Sequence, residues 1–236
     1  MTISNFVQFY KDILNEKDYD VLSVCAKKAF DGNSFACALF CSRFDKEKSE
    51  TVLLSKIKDN DINLISFFFA VSATESVYVR YKNIELLKKC YDFFVNNLSL
   101  LKTPTDTLSL TICAFCFDKL RFFASVLNLN QDKANFSKQS SNALAKISCL
   151  PFSFAPLFIL AYPQEYVEEK VNSSPVSIES SLSSLVNILL SIRGLILYGY
   201  EDIADNFKEE LYKNIRPVSS LDCTLCAIMC EIALTD

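Results

Sequence analysis

Apolar residues recur three and four positions apart along most of the chain, and few segments alternate between apolar and polar residues. This spacing is typical of helices that bury one side, whereas strands place apolar residues at every second position. Ile3, Phe6, Val7 and Tyr10, for example, share one side of a first helix. We therefore predict an all-α protein. The principal predicted helices cover residues 3–14, 20–32, 49–58, 84–98, 104–120, 142–149, 185–198 and 221–234.

Capping residues mark where several helices are expected to begin. Ser34 is expected to cap a further helix, the third along the chain, in which Ala36, Phe40 and Phe44 share one side. Asp61 is expected to cap the apolar segment that follows it. Pro104, after Thr103, fits the first position of another helix, where the missing N–H of proline costs no hydrogen bond. The whole pattern corresponds to about ten or eleven helices.

Three places share one pattern, in which a helix stops and a tyrosine leads into the next amphipathic helix. These tyrosines are Tyr19, Tyr81 and Tyr200, and 62 and 119 residues separate them. Tandem-repeat proteins keep a constant period, which this chain lacks. We therefore predict an irregular array of antiparallel helical hairpins, solenoid-like or helical-toroid-like.

A polar stretch, NLNQDKANFSKQSS at residues 128–141, interrupts the apolar pattern. It is rich in asparagine, serine and lysine, a composition typical of loops. We predict a loop or linker there. The chain is then a single all-α domain over residues 1–236, or two lobes, 1–127 and 142–236, that this polar linker joins.

The stretch LVNILLSIRGLILYGYEDIADNF, residues 185–207, raises the question of a binding site. Its first half is apolar nearly all round, which predicts a buried helix, and Gly199 fits the left-handed position that ends a helix. Arg193 is the charged residue of that helix. It forms an internal ion pair or extends to the surface, or it binds an anion or a partner. We therefore name Arg193, Tyr198 and Tyr200 as candidate binding residues.

Residues 186–204, VNILLSIRGLILYGYEDIA, resemble a segment of the (α/α)-toroid glycosidases, the trehalase and oligosaccharide-glucosidase group. In that group an asparagine precedes an Arg-Gly-Leu sequence and a Tyr-Gly-Tyr helix end. The present chain has extra residues between Asn187 and Arg193, and it lacks the tryptophans and partner carboxylate motif of those enzymes. The resemblance covers 19 of 236 residues and implies a helical hairpin rather than catalysis.

Charge and composition disfavour several function classes. The chain has 24 basic and 28 acidic residues, a net charge of -4 and no basic block, so we predict no nucleic-acid binding. It has no histidine, which removes Ser-His-Asp and Cys-His nucleophilic systems and histidine metal sites. Its 3 glycines cannot form a dinucleotide or P-loop phosphate motif. We predict no cofactor.

Ten cysteines are present, and the N-terminal sequence MTISNFVQFYKDIL lacks the pattern of a secretory signal. We therefore expect reduced cysteines and a cytoplasmic or nuclear protein that is not secreted. Two CxxC pairs, Cys113/Cys116 and Cys223/Cys226, have the spacing of zinc half-sites. Each pair lies in an apolar helical stripe, so we interpret these thiols as core packing residues and predict no metal site.

The longest apolar run, ISCLPFSFAPLFILAY, covers residues 147–162 and contains two prolines. It is shorter than the roughly 20 residues that span a bilayer. A second run, residues 185–198, carries Arg193. We predict buried core helices and no membrane span.

Two function classes remain. The first is a non-catalytic helical scaffold, adaptor or subunit of a larger assembly, acting through protein–protein contacts as an oligomer or with other chains. The second is an all-α enzyme or small-molecule binder of the (α/α)-toroid type, with carboxylates, tyrosines and Arg193 around a central cavity. The thin set of catalytic side chains favours the first class.

Overall fold

The computed structural model describes residues 29–43, 45–59, 62–102 and 104–147, together with Ser23, Val24 and Lys27. In these ranges the chain contains helices and no strand, which confirms the all-α prediction for this part of the protein. Residues 33–148 form one compact unit. Its elements are α1 (Phe35–Cys41), α2 (Lys46–Asp59), α3 (Leu64–Tyr81), α4 (Ile84–Asn96), the 3₁₀ helix η1 (Leu98–Leu101), α5 (Thr107–Val126) and α6 (Asn130–Ala145).

Side-chain caps fix the starts of five of these helices, and Asp45 caps α2 by accepting a hydrogen bond from the Lys48 backbone N–H. Ser34 accepts a hydrogen bond from the Cys37 backbone N–H and caps α1, as predicted. Asn63 caps α3 in the same way, where the sequence had suggested Asp61. Asp106 caps α5, so Pro104 precedes that helix instead of starting it. Asn83 caps α4. A capping side chain acts at the residue where its helix begins, and packing against neighbouring helices determines which residue that is.

Helix α3 occupies the centre of the unit and packs against α1, α2, α4 and α5. Its sequence, LISFFFAVSATESVYVRY, places apolar or small residues on every side, which is the pattern of a buried helix. The two buried hydroxyls stay hydrogen-bonded inside the helix, since Ser72 donates to the Phe68 carbonyl and Thr74 donates to the Ala70 carbonyl. The buried residues of α3 are Phe67, Phe69, Ala70, Val71, Ser72, Ala73, Thr74 and Val77.

Phenylalanine rings join the helices around α3. Phe94 on α4 is fully buried, and its ring centroid lies 5.3 Å from that of Phe67 on α3 and 6.2 Å from that of Phe123 on α5. Phe68 on α3 and Phe115 on α5 approach to 4.9 Å between centroids. Such tilted and stacked pairs add about 0.5–1.5 kcal/mol each beyond the area they bury.

The turn between α3 and α4 consists of Lys82 and Asn83. Lys82 adopts a left-handed conformation, with φ 55° and ψ 31°, and its N–H donates to the Tyr78 carbonyl. Its Nζ atom lies 5.3 Å from the centroid of the Tyr78 ring. The break predicted between Tyr81 and Ile84 is therefore confirmed, and it is a two-residue turn.

The polar stretch 128–141 is mostly helical, which differs from the loop that its composition predicted. Only three residues, 127–129, separate α5 from α6, and Asn128 is left-handed with φ 60°. Asn128 N–H donates to Ser125 and Leu129 N–H donates to Ala124, the paired bonds of a Schellman turn. Helix α6 then packs against α5 through Phe136, Ser140 and Ala143. Contact with α5 therefore outweighs the weak helix propensity of this segment.

Residues 128–141 lie within the compact unit 33–148. The division into lobes at 127 and 142, the antiparallel array and the count of ten or eleven helices stay predictions for the chain as a whole. None of the helices in the described ranges combines the length and the continuous apolar character that crossing a bilayer requires.

Replacing Phe94 by alanine should destabilise the protein by about 3–5 kcal/mol, because the change leaves a cavity among three other rings. Val95 is the matched control, since it is the next residue of α4 and is 38% exposed. Val95→Ala should change the free energy of unfolding by less than about 1 kcal/mol. Chemical denaturation measures both variants, and equal losses would contradict the assignment of Phe94 to the core.

Candidate functional site

The candidate binding residues Arg193, Tyr198 and Tyr200 lie outside the described residues, as does the Cys223/Cys226 pair. Within the described helices, polar and titratable side chains gather in five places. They are a hydroxyl cluster between α1 and α3, a group of contacts between α2 and the end of α3, an ion pair between α3 and α5, a hydrogen bond between α4 and α6, and three buried thiols on α4 and α5.

The hydroxyl cluster joins the end of α1 to α3. Ser42, fully buried, donates from Oγ to the Leu39 carbonyl at 2.6 Å. The hydroxyl oxygens of Ser42 and Ser76 are 2.6 Å apart, and since the Ser42 proton is committed, Ser76 is the donor. The Tyr81 hydroxyl donates to the Ser42 carbonyl at 2.9 Å. These bonds satisfy the last turn of α1 with groups from α3, and they leave no hydroxyl of the cluster activated by a base.

A second group of polar contacts lies around Tyr81 and involves side chains of α2. The Lys46 Nζ atom lies 5.7 Å from the centroid of the Tyr81 ring and 4.0 Å from a carboxylate oxygen of Glu50. The Asn83 amide donates to the same Glu50 oxygen at 2.9 Å. Asn83 therefore caps α4 with its oxygen and binds α2 with its nitrogen, which ties the turn after α3 to a neighbouring helix.

The ion pair between α3 and α5 consists of Glu75 and Lys119. The Lys119 Nζ atom lies 2.8 Å from a carboxylate oxygen of Glu75. The Lys119 side chain is 12% exposed and the Glu75 side chain is 26% exposed. The same nitrogen lies 5.3 Å from the centroid of the Phe115 ring. A charge so well shielded from water needs a counter-charge, and the pair supplies it while fixing the register of α3 against α5.

A hydrogen bond joins α4 to α6. The Tyr91 hydroxyl donates to a carboxylate oxygen of Asp132 at 2.7 Å, and the Tyr91 ring packs edge-on against Phe136. Burial, together with this bond and the negative charge of Asp132, raises the pKa of Tyr91 well above its usual value. The phenol therefore stays protonated and acts as a donor across the neutral range.

Three buried thiols lie on α4 and α5. Burial raises the pKa of Cys90 to about 12, against a smaller opposing effect from the Thr74 side chain. Burial, with a contribution from Asp106, raises the pKa of Cys113 to about 11. Cys116 is fully buried, and its pKa lies well above the usual value for the same reason, with Cys113 adding to the effect. The thiolate is the reactive form, so these thiols are inert near neutral pH.

The cysteines of the described helices therefore act as small core residues. Cys37, Cys41, Cys90, Cys113 and Cys116 are all buried and free of disulfide bonds. This confirms the packing interpretation of the Cys113/Cys116 pair. No group of three or more potential metal ligands occurs among the residues that the structure describes.

The Glu75–Lys119 pair was missed at the sequence level because 44 residues separate its members. A signal was nevertheless present. Glu75 is the one charged residue of the stretch AVSATESVYV, and Lys119 lies beside Asp118 and Arg121 in the stretch CAFCFDKLRFF. A charge embedded in a buried helix requires a partner, so a cation on another helix was to be expected for Glu75, but the sequence does not distinguish Lys119 from Arg121.

Comparison with known proteins assigns no family. No protein-family model, curated protein sequence or solved structure matches the chain. The resemblance of residues 186–204 to the (α/α)-toroid glycosidases stays a prediction from local sequence.

Breaking the Glu75–Lys119 pair should destabilise the protein. In a double-mutant cycle with Glu75→Gln and Lys119→Met, we expect a coupling energy of about 1–2 kcal/mol, between the values for exposed and buried pairs. The exposed pair Glu85–Lys88 on α4 is the control, with side chains 77% and 55% exposed. Its cycle should give less than about 0.5 kcal/mol. Equal coupling in the two cycles would contradict a special role for the half-buried pair.

The five described cysteines should resist alkylation in the folded protein. Mass-spectrometric mapping after iodoacetamide treatment at about pH 8 should find Cys90, Cys113 and Cys116 unmodified, because burial holds their pKa values far above this pH. The same sites should react fully in denaturant, which serves as the control. Rapid modification of Cys113 in the folded state, at a rate near that of the unfolded chain, would show that this thiol is accessible.

Proposed function

We propose that the protein is a non-catalytic helical scaffold, a subunit of a larger assembly that acts through protein–protein contacts. The observation that carries the proposal is that its polar side chains form contacts between helices. The hydroxyl cluster, the Glu75–Lys119 pair and the Tyr91–Asp132 bond each join two helices. These groups hold helices in fixed positions and give the unit a defined surface.

The protonation states of the buried groups support the same proposal. A general base or nucleophile is useful when its pKa lies near the working pH. Burial raises the pKa values of Cys90, Cys113 and Tyr91 further from neutral pH, so these side chains stay protonated and neutral. These side chains are suited to packing and hydrogen bonding.

A contact surface is proposed on α3. Ile65 and Val79 are 48% and 49% exposed, although the middle of this central helix is buried. They are fourteen positions apart, close to four helical turns, so they lie on the same side of α3. Phe68 and Glu75 lie between them on that side and are partly exposed. Partly exposed apolar residues on a rigid helix are typical anchors for a protein partner.

The alternative, an enzyme or small-molecule binder of the (α/α)-toroid type, rests on Arg193, Tyr198 and Tyr200. It stays a second proposal from the sequence. Arg193→Met would abolish binding of an anionic or sugar ligand on that proposal, and the scaffold proposal predicts no bound small molecule at all.

The scaffold proposal is tested by native mass spectrometry of the protein isolated gently from its own cells. We expect a mass well above 26.7 kDa, with a protein partner in fixed stoichiometry. Purified components should reform the complex, and the double variant I65S/V79S should weaken it by about thirtyfold or more, as loss of buried apolar anchors does elsewhere.

The matched control is S137A/S141A, since both serines are exposed on α6 and far along the chain from α3. It should bind like the unchanged protein. A bare monomer that carries a stoichiometric small molecule would overturn the scaffold proposal and favour the alternative.

A further inference from the structure

Helix α6 is held in place by a narrow strip of contacts. Three of its sixteen residues, Phe136, Ser140 and Ala143, are buried, against eight of the eighteen residues of α3. Among the described helices, α6 packs chiefly against α5. Seven of its residues are Asn, Ser or Asp, which disfavour a helix relative to alanine. Leu129 precedes α6 and gives it no side-chain cap, unlike the residues that begin the other described α-helices. Helices with these properties are the ones that open first in a folded protein.

The strip of contacts fills a groove between α4 and α5. The Tyr91 hydroxyl donates to Asp132 at 2.7 Å, and the Phe136 ring contacts the Tyr91 ring at a centroid distance of 6.4 Å. The same Phe136 ring is stacked on a ring of α5 at 6.2 Å, and the buried Ser140 hydroxyl donates to a carbonyl of α5 at 3.1 Å. We call this site the α4–α5 groove, and its lining residues are Tyr91, Ala114 and Phe117.

Both ends of α6 stay attached when the helix leaves the groove. Residues 127–129 join it to α5, and Ile147, just past its last turn, is 1% exposed. An opened α6 therefore remains beside the groove at a high effective concentration, and it closes again unless another group occupies the site. A tethered helix of weak propensity over a partly aromatic groove has the properties of an autoinhibitory cover.

We propose that α6 is a reversible cover over the α4–α5 groove, and that an amphipathic helix of a protein partner displaces it. The residues that now fill the groove define the chemistry of that helix. It carries a carboxylate, an aromatic ring four residues later and a small hydroxyl residue four residues after that, as Asp132, Phe136 and Ser140 do. A partner helix with this pattern and stronger helix formers makes the same contacts at a lower conformational cost. The inference rests on the proposed scaffold function and adds a regulated contact surface to the one on α3.

Opening of the cover is tested by hydrogen–deuterium exchange of the full-length chain, read by mass spectrometry. The backbone amides of α6 should exchange at least about tenfold faster than those of α3, because α6 opens without unfolding of the centre. The variant Y91F should raise the exchange rate of α6 by about three- to tenfold, since it removes one hydrogen bond that keeps the cover closed.

The matched control is Y81F, which removes the hydroxyl bond from α3 to the Ser42 carbonyl. Opening of α6 leaves that bond intact, so Y81F should accelerate exchange in α3 and leave the rate of α6 unchanged. Equal acceleration of α6 by Y81F and Y91F would mean that α6 exchanges only when the whole unit unfolds, and it would overturn the inference.

Occupation of the groove is tested with a fluorescent peptide of residues 129–147. A hydrocarbon staple between the exposed positions 134 and 138 keeps the peptide helical. The peptide is titrated against full-length F136A, in which the cover is weakened and the groove is unchanged. It should bind F136A at least about tenfold more tightly than the unchanged chain, whose own α6 competes for the site. A143D weakens the cover at another buried position of α6 and replaces F136A if that chain does not fold.

The control peptide carries the change F136A itself and should bind the opened chain at least about tenfold more weakly, because it lacks the ring that fills the groove. Failure of the first peptide to bind F136A and A143D, or equal binding of the two peptides, would overturn the inference. Neither result affects the complex measured by native mass spectrometry or its dependence on Ile65 and Val79, so the scaffold proposal keeps its own test.

Discussion

The structure depends on burying α3 on nearly every side. Once an apolar helix lies at the centre, each polar group on it must find a partner within reach, because a buried group without a hydrogen bond costs about 1–3 kcal/mol. Ser72 and Thr74 bond within the helix, Ser76 reaches the end of α1, and Glu75 reaches α5. Neighbouring helices are positioned by these requirements as well as by the phenylalanine contacts.

The same requirement connects packing with the proposed function. The thiols of Cys90 and Cys113 and the phenol of Tyr91, which could act as nucleophiles or bases elsewhere, stay neutral here, because burial penalises their charged forms. Cys116 is the extreme case, since it is fully buried on α5, and both burial and Cys113 raise its pKa. The proposed scaffold function would benefit from such a frame, because a surface that is already ordered loses less entropy on association.

Periodicity in the sequence was sufficient to predict an all-α fold, the Ser34 cap and the break before Ile84, since these are local properties. It failed for residues 130–141, whose helix is stabilised by contacts with α5. There, Ser140 donates to the Ala114 carbonyl from a buried position that a binary pattern scores as polar. The sequence also showed that Glu75 needs a counter-charge but could not assign Lys119 to it, because the two residues meet only after the helices pack.

Two non-glycine residues of the described turns, Lys82 and Asn128, have a left-handed backbone. A side chain in this conformation carries a strain of about 1 kcal/mol, which asparagine bears more easily than lysine. The turn at Lys82 thus stores energy that glycine would release, offset in part by the contact of its ammonium with Tyr78. Because the chain has only 3 glycines, turns such as the one at Lys82 are the first positions to substitute when higher thermostability is sought.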